Sequence, residues 1–109
     1  MARCHALLLI AVLSVPLAGE ARDLKAYGHE HCAACHGDDW SGRGPNGMRL
    51  GGRNLTEPRW LAKQTEAELT ASILRGRGAM PGFRRQLSEA EARGLAGDLL
   101  RPKGAKKRS

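Results

Sequence analysis

Cys32 and Cys35 stand three residues apart, and His36 follows directly. Two thiols on adjacent turns of one helix can add to the two vinyl groups of a haem and form thioethers. The next imidazole then lies under the ring and offers a nitrogen to the iron. Cys-x-x-Cys-His is thus the attachment signature for c-type haem. Two rival chemistries share these residues. One is a redox-active dithiol made by Cys32 and Cys35. The other is a zinc site drawing on His29, His31, Cys32, Cys35 and His36. Zinc sites usually take ligands from two separated clusters, and no second Cys pair exists here.

A second candidate lies in Gly76-Arg77-Gly78-Ala79-Met80-Pro81-Gly82-Phe83. A methionine in a Gly/Pro loop lacks the packing reason that a helical one has. If haem is attached at Cys32 and Cys35, the Met80 thioether is the natural sixth ligand to its iron. Pro81 fixes the dihedral just after it, and Gly78 lets the loop turn tightly. Met48 competes from another loop, but it lies close to His36 in sequence and would need a sharp wrap to reach the opposite face. Without haem, Met80 is an ordinary loop contact.

The elements that position these residues are short. The 109 residues argue for one small domain, and two Trp, one Tyr and one Phe make a thin core. A buried haem would supply the missing apolar mass, and its covalent bonds would staple the fold. The net charge of +7 points to anionic partners. Nucleic acid is not favoured, because no basic motif is interleaved with aromatics and the basic residues are scattered outside the tail.

Residues 1–21 read as a signal peptide. Arg3 gives the positive start, Leu7 to Leu13 the apolar run, and Gly19-Glu20-Ala21 the cleavage site. The run is too short to span a bilayer as a helix, and an uncleaved anchor is the alternative. Removal of Cys4 with this segment leaves only the two motif cysteines. Asp23 caps a helix that runs to His31, with Leu24 and Tyr27 on its apolar face. His29 and His31 read as solvated. Asp38 to Pro58 is a glycine-rich loop, longer than most structureless connections, and wrapping a haem edge would explain it. Within it, Pro45 is expected to aim a backbone carbonyl at the free imidazole nitrogen of His36.

Three helices follow. Pro58 to Ala62 opens on a proline suited to the first helical position. Thr65-Glu66-Ala67-Glu68 and Ser88-Glu89-Ala90-Glu91 are capping boxes. The first opens a helix that carries Leu69 and Ile73 and stops at Gly76. The second opens one with Ala92, Leu95, Ala96 and Leu99 on one face, ended by Pro102. Residues 102–109 form a basic tail expected to be disordered. No strand pattern and no internal repeat is evident.

Taken in order, these pieces resemble the class I c-type cytochromes over nearly all of residues 22–101. The matching residues are Tyr27, Cys32-Ala33-Ala34-Cys35-His36-Gly37, Gly42-Arg43-Gly44-Pro45, Leu55 and Thr56, Ala79-Met80-Pro81-Gly82-Phe83, and Leu87-Ser88-Glu89-Ala90-Glu91. The resemblance implies an all-α cytochrome c-like fold, about four helices wrapped around one covalently bound haem c. Cys32 and Cys35 would hold the haem, with His36 as proximal and Met80 as distal iron ligand. The family shuttles single electrons between larger redox proteins. The chain departs from the family at Asp23, where it usually has a glycine, and at Asp98, where it usually has an aromatic. Those positions normally form the crossing of the first and last helices, and Gly94 and Gly97 are expected to make the close approach instead. Trp40 stands where similar chains often carry a glycine, with shielding of the haem edge and a surface position both open. Trp60 is open between an indole bond to a haem propionate and plain packing.

The leading function is then a bacterial periplasmic monohaem electron carrier with no membrane span after cleavage, and not an enzyme. Its partners would be redox proteins with an acidic docking face. Arg75, Arg77, Arg84 and Arg85 bracket Met80, and since a haem has two propionates, not all four are consumed there. An electron-accepting subunit of a dehydrogenase or sulfur-oxidising complex is the alternative. A catalytic haem protein needs an open iron position, and a thiol-disulfide enzyme needs a free dithiol.

Overall fold

The computed structural model describes residue 10 and residues 22–101. Apart from Ile10, the expected signal peptide, Cys4 with it, and the basic tail lie outside the described residues. The first helix, α1 (Leu24–His31), begins at Asp23, whose carboxylate accepts from the Ala26 backbone N–H at 3.1 Å. That bond satisfies one of the donors a helix start leaves unpaired. The helix breaks at Cys32 (φ −112°, ψ −33°) and resumes as α2 (Ala33–His36). Cys32 is therefore the break itself and Cys35 lies inside α2, so the expected single helix is interrupted at the first cysteine. The two cysteines remain one turn apart, because the Cys35 and His36 N–H groups both return to the Cys32 carbonyl.

A non-helical segment of 21 residues (37–57) separates α2 from α3 (Pro58–Leu61). Then come α4 (Glu66–Arg75) and α5 (Glu89–Leu100), each opened by a complete capping box. Thr65 and Glu68 exchange bonds at 3.1 and 3.3 Å, and Ser88 and Glu91 do so at 3.0 Å. The end of α4 is Gly76 at φ 82°. Arg101, which closes α5, is extended at ψ 133°, the conformation a following proline imposes. Among the described residues there is no strand, only isolated bridges joining Arg43 to Arg49 and Arg77 to Met80.

Helix α5 is the hub, packed on α4 and on α1. Ala92 and Ala96 on its inner face are fully buried, and their small size lets the other helices come close. A Cβ on Gly94 would lie 2.8 Å from Leu24 Cδ1, so Gly94 makes the expected close approach to α1. Gly97 does not, since the atom nearest its missing Cβ is Glu66 Oε2 on α4, at 3.8 Å. The two acids expected near the crossing are occupied elsewhere. Asp23 is the α1 cap, and Asp98 pairs with Arg101 at 3.0 Å.

Candidate haem site

His36 is half-buried at the end of α2, and its Nδ1 lies 2.9 Å from the Arg53 carbonyl oxygen. A carbonyl only accepts, so Nδ1 carries a hydrogen, and in the neutral imidazole Nε2 then holds the lone pair that a metal would use. The expected acceptor was Pro45, and the structure places Arg53 there instead. The reason is a backbone approach. Gly52 donates its N–H to the Cys35 carbonyl at 2.8 Å, which brings the next residue's carbonyl under the imidazole. A Cβ on Gly52 would collide with that carbonyl and lie 2.8 Å from His36 Nδ1. Gly52 and Arg53 are the site residues that sequence reasoning missed, and the Gly51-Gly52 pair was their only signal.

The loop that holds Gly52 is folded back repeatedly onto α2. Gly42 donates to the His36 carbonyl at 2.6 Å, and Leu50 to the Gly42 carbonyl at 2.9 Å. Gly37 and Gly42, with φ near 80°, each have a backbone atom where a side chain would begin. Trp40 is the only non-glycine residue with positive φ among the described residues, at 64°. Such a conformation costs an L-residue about 1–2 kcal/mol, a cost that glycine would not carry. Trp40 is half-buried, with its ring against Gly28 of α1, whose absent Cβ would also lie 3.9 Å from Leu95 of α5. Its ring thus lies on α1, at a position that also faces α5.

Met80 sits in a tight turn. Arg77 and Met80 exchange both backbone bonds at 2.9 and 3.0 Å, and Gly78 between them has φ 56°, as the sequence predicts. Phe83, three residues on, packs its ring at 6.2 Å edge-on to Tyr27 and 6.4 Å from His31. The Met80 loop is thereby tied to the helix that ends at Cys32. Met48 is 63% exposed in the other loop, although its main chain is also bonded, its carbonyl to the Gly44 N–H at 2.8 Å and its N–H to Asn46 Oδ1 at 3.1 Å. His29 and His31 are exposed, as expected, but not without partners. His29 lies 3.4 Å from Asp38, and His31 stacks on Tyr27 at 4.2 Å. Trp60 is half-buried with the Arg53 guanidinium 5.2 Å above its ring.

The described core fits a missing flat apolar body. Its buried apolar residues are Tyr27, Ala33, Leu69, Leu87, Ala92 and Ala96, and no large side chain is fully enclosed. Leu55, Trp60, Leu61, Ile73 and Leu74 stay half-exposed, together with His36 and Met80. A haem covering such residues would remove from water the surface that the chain leaves open. The rival chemistries find less support. Burial pushes the Cys32 thiol up, and the neighbouring Cys35 adds to this, the opposite of an activated thiolate. Among the described residues, no three His, Cys, Asp or Glu side chains converge as a metal-holding group.

The helices, the Cys32–His36 segment and the looped methionine define a c-type cytochrome domain. A family model described as cytochrome c oxidase, cbb3-type, subunit III matches residues 19–97, and the chain belongs to that family. It is similar to the cbb3-type oxidase subunit CcoP of Azospirillum brasilense, 38% identical over 68 residues, which cover 62% of this chain and 23% of that protein. The CcoP of Rhodobacter capsulatus is 39% identical over 75 residues, covering 62% and 24%. The chain thus spans about a quarter of the length of these curated relatives. Among solved structures, the c-type cytochrome NirC is 29% identical with a TM-score of 0.57, covering 71% of this chain and 84% of that one. The KustC0563 c-type cytochrome, 24% identical with a TM-score of 0.58 over 72% and 95% of the two chains, shares the fold. The family implies covalently bound haem c and electron transfer. No described helix is long and apolar enough to cross a membrane.

Proposed function

We propose that the chain is a bacterial periplasmic carrier of single electrons that binds one haem c. Cys32 and Cys35 would form the thioethers, and His36 and Met80 would be the axial ligands. The observation that carries this reading is the His36–Arg53 bond, which occupies Nδ1 and leaves Nε2 as the nitrogen open to a metal at the end of the Cys-x-x-Cys segment. The bound haem would supply a one-electron couple, and thioether ligation raises its potential. The chain's own part is to keep the geometry unchanged between the two oxidation states. Gly52 and Arg53 hold the imidazole plane, and the Arg77–Met80 turn limits where the thioether can move.

A second reading places the same domain inside an oxidoreductase assembly as its electron-accepting part. It is favoured by the match to an oxidase subunit and by relatives of which the matched segment is only 23%. Co-purification with a larger redox protein would select it over a free carrier.

The decisive experiment is expression in a periplasm that has haem-attachment machinery. Wild-type haem should resist acid-organic extraction, and replacement of both Cys32 and Cys35 by Ala should make it extractable. Equal extraction from both proteins would end the covalent reading.

A further inference from the structure

Two local anomalies meet at one point. Gly28 lies in the middle of α1, where glycine is the poorest helix former after proline. Trp40 lies in a loop at φ 64°, where a bulky residue is least at ease. A Cβ on Gly28 would fall 3.1 Å from Trp40 Cη2 and 3.3 Å from Cζ2. Each anomaly therefore accommodates the other, with the missing side chain of Gly28 making the seat for the indole ring.

The backbone of Trp40 reaches toward the proximal ligand. Its N–H donates to the Gly37 carbonyl at 3.1 Å, one residue after His36, and its carbonyl accepts from the Leu55 N–H at 2.7 Å. Leu55 is two residues beyond Arg53, whose carbonyl holds His36 Nδ1. The ring is thus anchored on α1, with Leu95 of α5 3.9 Å from the same missing Cβ, and the main chain of the same residue pins the segment that carries the Arg53 carbonyl.

We infer that Trp40 is a positioning residue for His36: seated in the Gly28 notch, it locks the 52–55 segment so that the Arg53 carbonyl stays on Nδ1 and sets the electron donation of the imidazole. A carbonyl held on Nδ1–H makes the imidazole a stronger donor, which favours ferric iron and lowers the potential. The inference rests on His36 being an iron ligand, as proposed above.

The test uses the haem-loaded protein with Trp40→Gly, Trp40→Phe, Gly28→Ala and the Gly28→Ala/Trp40→Gly pair. Trp40→Gly, which relaxes the backbone but empties the notch, should raise the midpoint potential and shift the His36 Nδ1–H proton resonance. Trp40→Phe should restore most of both. Gly28→Ala should lower the denaturant midpoint when Trp40 is present and raise it in the Trp40→Gly background, where only the helix preference for alanine remains. A Trp40→Gly protein of lower stability but unchanged potential and unchanged Nδ1–H resonance would reduce Trp40 to packing and overturn the inference. The same Gly28→Ala effect in both backgrounds would overturn the seat itself. Wild-type protein without covalent haem would instead sink the proposed function, and the stability reversal would still test the seat.

Discussion

His36 and Arg53, 17 residues apart, are joined by one hydrogen bond of 2.9 Å from the imidazole Nδ1 to the main-chain carbonyl. Such a bond fixes the tautomer and the ring plane together. Because the acceptor is backbone, no substitution at Arg53 removes it directly. What can be changed is the approach that delivers it, and that approach depends on Gly52.

Gly52→Ala should therefore act on stability and potential together. The added methyl meets the Cys35 carbonyl and the His36 ring, neither of which is a flexible side-chain end. Overpacking of this kind costs about 1–3 kcal/mol. The haem-loaded variant should unfold at lower denaturant, and its potential should rise as the Nδ1 bond stretches. Wild-type values of both would remove Gly52 from the site.

The helix starts were legible because their signals are local. Asp23, Thr65 with Glu68, and Ser88 with Glu91 each act within four residues, and each bonds as its motif requires. The Cys32–His36 turn was legible for the same reason, its Cys35 and His36 N–H groups both returning to the Cys32 carbonyl. The His36 acceptor was not, because it comes from a loop without periodicity, where proximity to Pro45 in sequence says little about which carbonyl arrives. Trp40 was not legible: haem-edge shielding and a surface position were both open, whereas its ring lies half-buried against Gly28, a seat that depends on how α1 meets the loop. Asp23 and Asp98 were expected to share the crossing, and each found a nearer partner within three residues.

The second capping box gives a pH-dependent prediction. The Ser88 backbone N–H, bonded to Glu91, holds its carboxyl below its ordinary value of 4.5, and Arg22 at 3.3 Å helps. A depressed folded value means that the stabilisation is present above the unfolded value and is lost as pH falls through the folded one. Glu91→Gln should unfold more easily than wild type near neutral pH, and the gap should close as pH falls below 4.5. Ser88→Ala, which deletes the other half of the box, should cost about 1 kcal/mol. Denaturant midpoints at about pH 7 and about pH 3 check both. A gap that widens in acid would contradict the assignment.

Met80 and Met48 should separate cleanly. Met80 is half-buried in a turn closed by two backbone bonds, whereas Met48 is 63% exposed. Met80→Ala should lower the potential, abolish the ferric sulfur-to-iron absorption band and admit cyanide or carbon monoxide. Met48→Ala should do none of these. A retained band in the Met80 variant would require another distal ligand.

The last prediction concerns the side from which electrons leave. Arg75, Arg77, Arg84 and Arg85 flank the Met80 turn, all four are exposed, and none forms an ion pair among the described residues. The acids of this half of the molecule are engaged elsewhere: Glu68 and Glu91 in their capping boxes, Glu66 and Glu89 with Arg93. Arg85 also lines an open groove along α1, where Arg22 and His31 stand with the acids Asp23 and Glu30. Unpaired guanidiniums around the Met80 turn suit an acidic redox partner, because complementary charge acts mainly on encounter rate. Such attraction is screened beyond about 10 Å at 0.1 M salt. Electron transfer to an acidic partner should slow as salt rises, and Arg84→Glu with Arg85→Glu should slow it at low salt with the spectrum unchanged. Removal of residues 102–109 should matter less, since those charges are distant in sequence from the Met80 turn. A rate indifferent to ionic strength, or one lost only with the tail, would move the docking face away from Met80.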